Sequence, residues 1–445
     1  MHISSLPGEY EIGSFGAAAY RFVDLLAELG FDLWQVLPLC PTDEENSPYN
    51  SSHPNDFNPL FIDLPMMYQG GVITLAQLEG QKQDLGFRIQ DLGECGVSKR
   101  RDAQGAVPYE AEGQPTSVGG DALIAPRATE DGRPYESTAT KVDYSFKQKR
   151  MEFLESLNID LQAEARLQWF KLKKYANDKG IEIIGDIPYY VSRFSDEVAN
   201  NPHIFNLETQ GGAPPDYFAK DGQAWSVPTY NWDAEGILDW WAARIAGELK
   251  KYDYLRIDHF RGLVEYWELP LSATNGLEGK WQNARPYAWL EAVAEKVDAS
   301  RLIAEDLGAW SENLESFVQY CKIPNMKVLQ FGFDGNPDNP HLPQQIAETC
   351  VYYSGTHDND TLVGFCDSVF KNYPSVPLAK EYMQQIWNCR ADKIMIQAQD
   401  LLFLDSEHRM NIPGQLNAWA FRLPPDYAEN IDKSFFRNLN QRRKG

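Results

Sequence analysis

The chain lacks the signatures of several large function classes. Its six cysteines, Cys40, Cys95, Cys321, Cys350, Cys366 and Cys389, form no CxxC pair. A chain of 445 residues buries enough surface to fold without disulfide staples, so reduced thiols are expected. There is no HExxH, and the seven histidines are dispersed, which argues against a zinc site. There is no GxGxxG and no Walker-type loop, so nothing supports a bound nucleotide. No run of about 18 apolar residues exists to span a membrane, and "MHISSLPGEYEIGSFG" does not read as a secretory signal, so cytoplasm is expected. Positive charge is scarce. At a formal net charge of -23, neither nucleic acid nor an anionic membrane is expected as the main partner. A neutral polymer would be indifferent to that sign. The basic end "QRRKG" reads as a solvated tail. Repeats and low-complexity tracts are also missing.

What is present is an alternation of strands and helices. Short apolar runs occur at 33–39, 181–188, 254–260, 301–308, 326–333 and 350–358. Helical spacing appears at 17–30 and 165–180, each ending on glycine, and at 236–252 and 284–297. Alternation of this kind implies βαβ units and a parallel sheet covered on both faces. The length favours a (β/α)8 TIM barrel over an open sheet, with 1–445 as a single catalytic unit. Residues 66–142, rich in Gly, Gln and charge, break the pattern and read as an inserted, loop-rich subdomain. Aromatics reach 13%, with 12 Trp and 22 Tyr; much of that is core, and an excess of Trp and Tyr also suits a cleft that stacks on flat sugar faces.

Four carboxylates fall at the C-terminal ends of four separate runs: Asp186, Asp258, Glu305 and Asp358. In a barrel that end carries the active site. Helix capping explains any one of them but not all four together. Strand residues alternate sides, so Arg256 and Asp258 share a face, and the guanidinium keeps the carboxylate ionised as a nucleophile requires. By the same alternation Glu305, not Asp306, points inward, and burial beside another negative group should raise its pKa toward that of a general acid. His357 and Asp358, in "SGTHDND", lie just past a strand end and can reach the mouth. Two carboxyl groups facing one bond suggest glycoside chemistry, in which retaining enzymes hold them about 5 Å apart. Phosphoryl transfer through magnesium would also use clustered carboxylates, but no phosphate-cradling loop accompanies these.

The stretches "SSLPGEYEIGSFG", "SPYNSSH", "GIEIIGDIPYYV", "GQAW", "LRIDHFRG", "YWELP", "IAEDLG", "MKVLQFGFDG", "YYSGTHDNDT" and "RMNIPG" run in one order along the chain outside 66–142. In this the chain resembles the 4-α-glucanotransferases, or amylomaltases, of the α-amylase-like barrels. The resemblance implies transfer of α-1,4-glucan segments between maltooligosaccharides, without cofactor or metal. It implies Asp258 as nucleophile, Glu305 as general acid/base and Asp358 as transition-state stabiliser. Tyr49 would stack on the sugar at the cleavage point. Asp186, Arg256, His259, His357 and Asn411 would bind the same or neighbouring sugars, and Trp225 would line the acceptor side. Residues 210–230, glycine-rich and aromatic, are expected to cover the site. Two other readings use the same residues: an α-1,4-glucan hydrolase, and a glucan-binding barrel without turnover. The chain departs from the family in short stretches after "VDY" and after "HDNDT". Ser226 stands in place of a usual glycine, Ala418 is inserted in a usual Asn-Trp pair, and Glu44 stands where an aromatic is common.

Overall fold

The computed structural model describes residues 1–8, 10–84, 141–142, 144–215, 219–308, 310–415 and 418–444. Seven strands form one parallel sheet: β1 (Leu33–Gln35), β2 (Glu182–Ile187), β3 (Tyr254–Ile257), β4 (Leu302–Ala304), β5 (Asn325–Val328), β6 (Cys350–Tyr353) and β7 (Lys393–Met395). Each pairs with the next in chain order. The outer two, β1 and β7, line one cavity of about 90 Å³ together with Met1 and His2. Met1 is tied to β1 there, its amine donating to the Gln35 carbonyl at 3.0 Å while Trp34 Nε1 donates to the Met1 carbonyl at 2.7 Å. The sheet thus nearly closes, and the fold is the expected (β/α)8 type with seven staves formed among the described residues. Six of them are the apolar runs named above. The seventh, β7, escaped the sequence reading because three residues, one of them Lys393, make no apolar run.

Side chains divide by the two-residue period of a strand. Ile184, Ile303, Met326, Val328, Val351, Tyr353 and Met395 fill the barrel interior. Their neighbours Ile183, Leu255, Ile257, Leu302 and Tyr352 point outward, into the layer between strands and helices. There they meet Trp169 and Leu172 of α2 (Leu161–Asp178), Trp241 and Ile245 of α3 (Ile237–Lys251) and Trp289 of α4 (Pro286–Ala294). Each large aliphatic side chain so buried contributes about 1.5–3 kcal/mol, which fixes the strand register. Gly185 lies on the outward face of β2, where a Cβ would come within 2.0 Å of the Tyr252 ring. α1 (Ala17–Leu29) ends at Gly30, whose φ of +83° makes the left-handed cap that glycine allows. α2 begins earlier than its spacing suggested, because Asp160 caps it by accepting from Ala163 N–H at 2.9 Å.

Of the expected 66–142 insertion, helices at Leu64–Gln69 and Leu75–Asp84 are described, and 85–140 lie outside the described residues. The segment 210–230 holds strand residues as well as loop. Residues 210–213 and 223–224 join a four-stranded antiparallel sheet of Gln223–Ala224, Thr209–Ala213, Glu265–Pro270 and Lys280–Asn283, and 216–218 lie outside the described residues. The five described cysteines are unpaired, and Cys95 lies outside. Among the described residues no helix is long and apolar enough to cross a membrane.

Candidate active site

At the C-terminal edge of the barrel the inward positions change from apolar to charged. Ile184 is followed on its face by Asp186, Tyr254 by Arg256, and Ile303 by Glu305. The register pairs Asp186 with Arg256, and Ile303 and Ala304 with Arg256 and Ile257. One step further, Asp258 and Glu305 stand side by side, with Glu305 N–H donating to the Ile257 carbonyl at 3.1 Å. Adjacent strands run about 4.8 Å apart, so the two residues are neighbours across the strand ends and the charge of Asp258 acts on Glu305.

Arg256 organises the acids around it. Its Nη1 donates to both oxygens of Asp186, at 2.8 and 2.7 Å, and its Nη2 sits 2.8 Å from Asp258 Oδ1. Burial alone would lower the Arg256 pKa, but Asp186 and Asp258 outweigh it and hold the guanidinium well above its usual range. One fixed cation therefore contacts both carboxylates, and Asp258 keeps a bound, oriented oxygen. Arg256 Nε also meets Met326 Sδ at 3.3 Å, which seats the guanidinium on the apolar plug below.

Glu305 meets the opposite surroundings. Burial and then the charge of Asp258 push its carboxyl up to about 8, against the pull of Arg256 and of two backbone amides. Those amides are His259 N–H, donating to Oε2 at 2.7 Å, and Leu307 N–H, donating to Oε1 at 3.0 Å. His259 can turn its amide this way because it adopts the left-handed conformation, with φ +50°. Asp306 faces away and accepts from Met326 N–H at 3.1 Å and from Asn325 Nδ2 at 2.8 Å, which is the alternation expected.

The far wall of the cleft is the loop after β6. Asp358 Oδ1 accepts from Asn411 Nδ2 at 2.6 Å and lies 3.5 Å from His357 Nε2, and its side chain is 46% exposed. The His357 ring stacks on Tyr49 with centroids 5.1 Å apart, while the Tyr49 hydroxyl donates to Asp186 Oδ2 at 2.7 Å. Tyr49 thereby connects the two walls. On the other flank the Trp225 ring meets His259 edge-on at 5.0 Å, and its Nε1 donates to Gln223. Burial pushes the His259 ring down to about 4, so it is neutral near pH 7, and its Nε2 has no hydrogen-bond partner among the described residues.

All ten residues singled out from the sequence fall in this one connected group. Sequence reading missed three contributors. Leu307 acts through its backbone, which no side-chain pattern reveals. Trp419 packs its ring 5.6 Å from Tyr49 and 5.5 Å from His357; its place after the inserted Ala418 was the available signal. Arg409 Nη2 donates to the Asp358 carbonyl at 2.7 Å from a loop far along the chain.

Known proteins share this architecture. A family model described as 4-alpha-glucanotransferase matches residues 1–112 and 130–428. A 4-alpha-glucanotransferase of Streptococcus pneumoniae is 34% identical over 481 aligned positions, covering 96% of this chain and 92% of the relative. One of Aquifex aeolicus is 32% identical and covers 99% and 97%. Among solved structures, an amylomaltase from Streptococcus agalactiae in complex with acarbose matches with a TM-score of 0.78 at 29% identity, over 100% of this chain and 98% of that one. The barrel, its charged rim and these matches agree, and the chain belongs to the 4-alpha-glucanotransferase family, glycoside hydrolase family 77, whose members are retaining glucan transferases.

Proposed function

We propose that this chain carries out the family's transfer reaction on α-1,4-glucans through Asp258, Glu305 and Asp358. The observation that carries the assignment is the contrast between two neighbouring carboxyl groups. Arg256 holds Asp258 at 2.8 Å, whereas burial raises Glu305 to about 8. Opposed surroundings of this kind separate a nucleophile from an acid.

In the first half-reaction Glu305 gives its proton to the glycosidic oxygen as the C1–O bond breaks. Asp258 forms an ester to C1, and the reducing-end fragment departs as an alcohol. The ester removes the negative charge of Asp258, and with it the second largest cause of the raised Glu305 pKa. Glu305 is then the carboxylate and can act as base. In the second half-reaction it takes the proton of an acceptor hydroxyl, that oxygen bonds to C1, and Asp258 leaves as carboxylate. Asp358, held by Asn411, accepts hydrogen bonds from ring hydroxyls as positive charge develops on the sugar. Tyr49 and Trp225 line the donor and acceptor sides, with Asp186, Arg256, His259 and His357 around the reacting sugar.

Donor and acceptor are both maltooligosaccharides, with no nucleic-acid partner, and the cytoplasm expected from the sequence is the proposed location. The test is pure maltotriose followed by chromatography. Transfer releases glucose together with oligomers longer than the substrate. Glucose and maltose alone, with rising reducing ends, would assign hydrolysis instead.

A further inference from the structure

The loop that carries His357 and Asp358 is residues 355–361, between the end of β6 and the start of the helix Leu362–Val369. A single buried carboxylate grips both of its ends. Asp400, with no solvent exposure, accepts from Ser354 Oγ at 2.6 Å through Oδ2 and from Leu362 N–H at 2.8 Å through Oδ1. Ser354 directly precedes the loop and Leu362 directly follows it. Asp400 comes from the chain after β7, in a short turn at Ala398–Leu401.

Neighbours complete the grip. Gln397 Nε2 and Gln330 Nε2 donate to the Asp360 carbonyl at 2.7 and 2.8 Å, and Ser406 Oγ donates to Asp360 Oδ2 at 2.8 Å. The charged group facing Asp400 is Asp360, and no cation is in ion-pair contact with Asp400 among the described residues. Burial pushes the Asp400 carboxyl up to about 6. A carboxylate buried without a counter-ion is costly. What it alone offers here is two acceptors and no donor, matched to one hydroxyl and one amide.

We propose that Asp400 is a positioning residue for transglycosylation: by closing both ends of the 355–361 loop it sets where Asp358 meets the sugar. This rests on the reading of Asp358 as stabiliser. A displacement of about 1 Å in such a group lowers turnover by about 100-fold, and ground-state binding, made by many other contacts, is less sensitive.

The experiment measures kcat and KM for maltotriose with the full chain, at a temperature where circular dichroism shows each variant folded. Asp400→Ala is expected to lower kcat about 10- to 100-fold with KM within about twofold, while Asp400→Asn, which keeps one acceptor, recovers part of the loss. Placed on Asp358→Asn, the same Asp400→Ala change is expected to add less than about threefold, since both act on one interaction. Should Asp400→Ala not fold, Ser354→Ala removes one of the two grips and is expected to lower kcat about 3- to 10-fold. A folded Asp400→Ala variant with unchanged kcat, or losses that multiply fully with Asp358→Asn, overturns the inference. Full turnover in Asp358→Asn alone overturns the stabiliser role instead, so the two failures are distinguishable.

Discussion

The two walls of the cleft are held in different ways. On one wall Asp186, Arg256, Asp258 and Glu305 lie on, or one residue beyond, three adjacent strands, and backbone register sets their spacing. On the other, His357 and Asp358 sit on a loop tied to residues on other segments, such as Asp400 and Asn411, and the Asp358 side chain is 46% exposed. In the proposed reaction the strand-borne wall holds the groups that make and break bonds. In the same proposal the loop-borne wall holds Asp358, which recognises the sugar as it distorts. Covalent chemistry tolerates little positional error, so rigid strands suit it. A sugar must also enter, slide and leave, so a loop with a definable set of anchors suits recognition. The comparison implies that damage to the first wall abolishes turnover, whereas damage to the second reduces it in steps.

The largest effect is expected from Asp258→Ala, which should lower kcat on the order of 10⁴-fold or more while glucan binding survives. Single-turnover rates with equilibrium binding to maltotriose check both halves of that statement. Next is Arg256→Ala. It leaves Asp186 buried without its cation and is expected to destabilise the fold by about 3–5 kcal/mol. Denaturant unfolding measures that loss, and turnover should fall alongside it because Asp258 loses its 2.8 Å contact. On the loop wall, Asn411→Ala frees the half-exposed Asp358 carboxylate, which water can still solvate, so little stability is lost. Its kcat is expected to fall about 10- to 100-fold, with melting temperature nearly unchanged. A loss as large as that of Asp258→Ala would break the distinction between the walls.

The smallest effect sharpens the electrostatic side. The folded-state pKa of Glu305 is about 8, above an ordinary glutamate. The stability it contributes is therefore full at low pH and is lost as pH rises through 8. Glu305→Gln should raise the melting temperature relative to the parent at pH 9 and not at pH 4, as a thermal shift series would show. The same value predicts that the parent's turnover declines as pH rises past about 8, where the acid is ionised before it can donate.

The difference between the walls also accounts for what could be read from sequence. Asp186, Arg256, Asp258 and Glu305 were legible because an apolar run that turns charged on its inward positions marks the rim of a barrel. The orientation of Glu305 against Asp306 followed from strand alternation alone. The β7 strand was not legible, since "KIM" carries too little pattern. Asp358 was found beside its strand, but its anchors were not: Asn411 entered only through the family resemblance, and Asp400 and Arg409 gave no signal. Local alternation records which face a residue occupies. It does not record which distant residue will reach across to it. Tyr49 shows the same limit: its loop position pointed to function, yet the bond from its hydroxyl to Asp186 spans 137 residues.

The most direct test of the central claim is to trap the glycosyl-enzyme. A Glu305→Gln variant given an α-maltotriosyl fluoride needs no acid to expel fluoride, yet lacks the base for the second step, so the ester should accumulate. Mass spectrometry of the digested protein is predicted to find a maltotriosyl adduct on the peptide containing Asp258. An adduct on Asp186 or Asp358 instead, or fluoride release with no adduct on any carboxylate, would contradict the account.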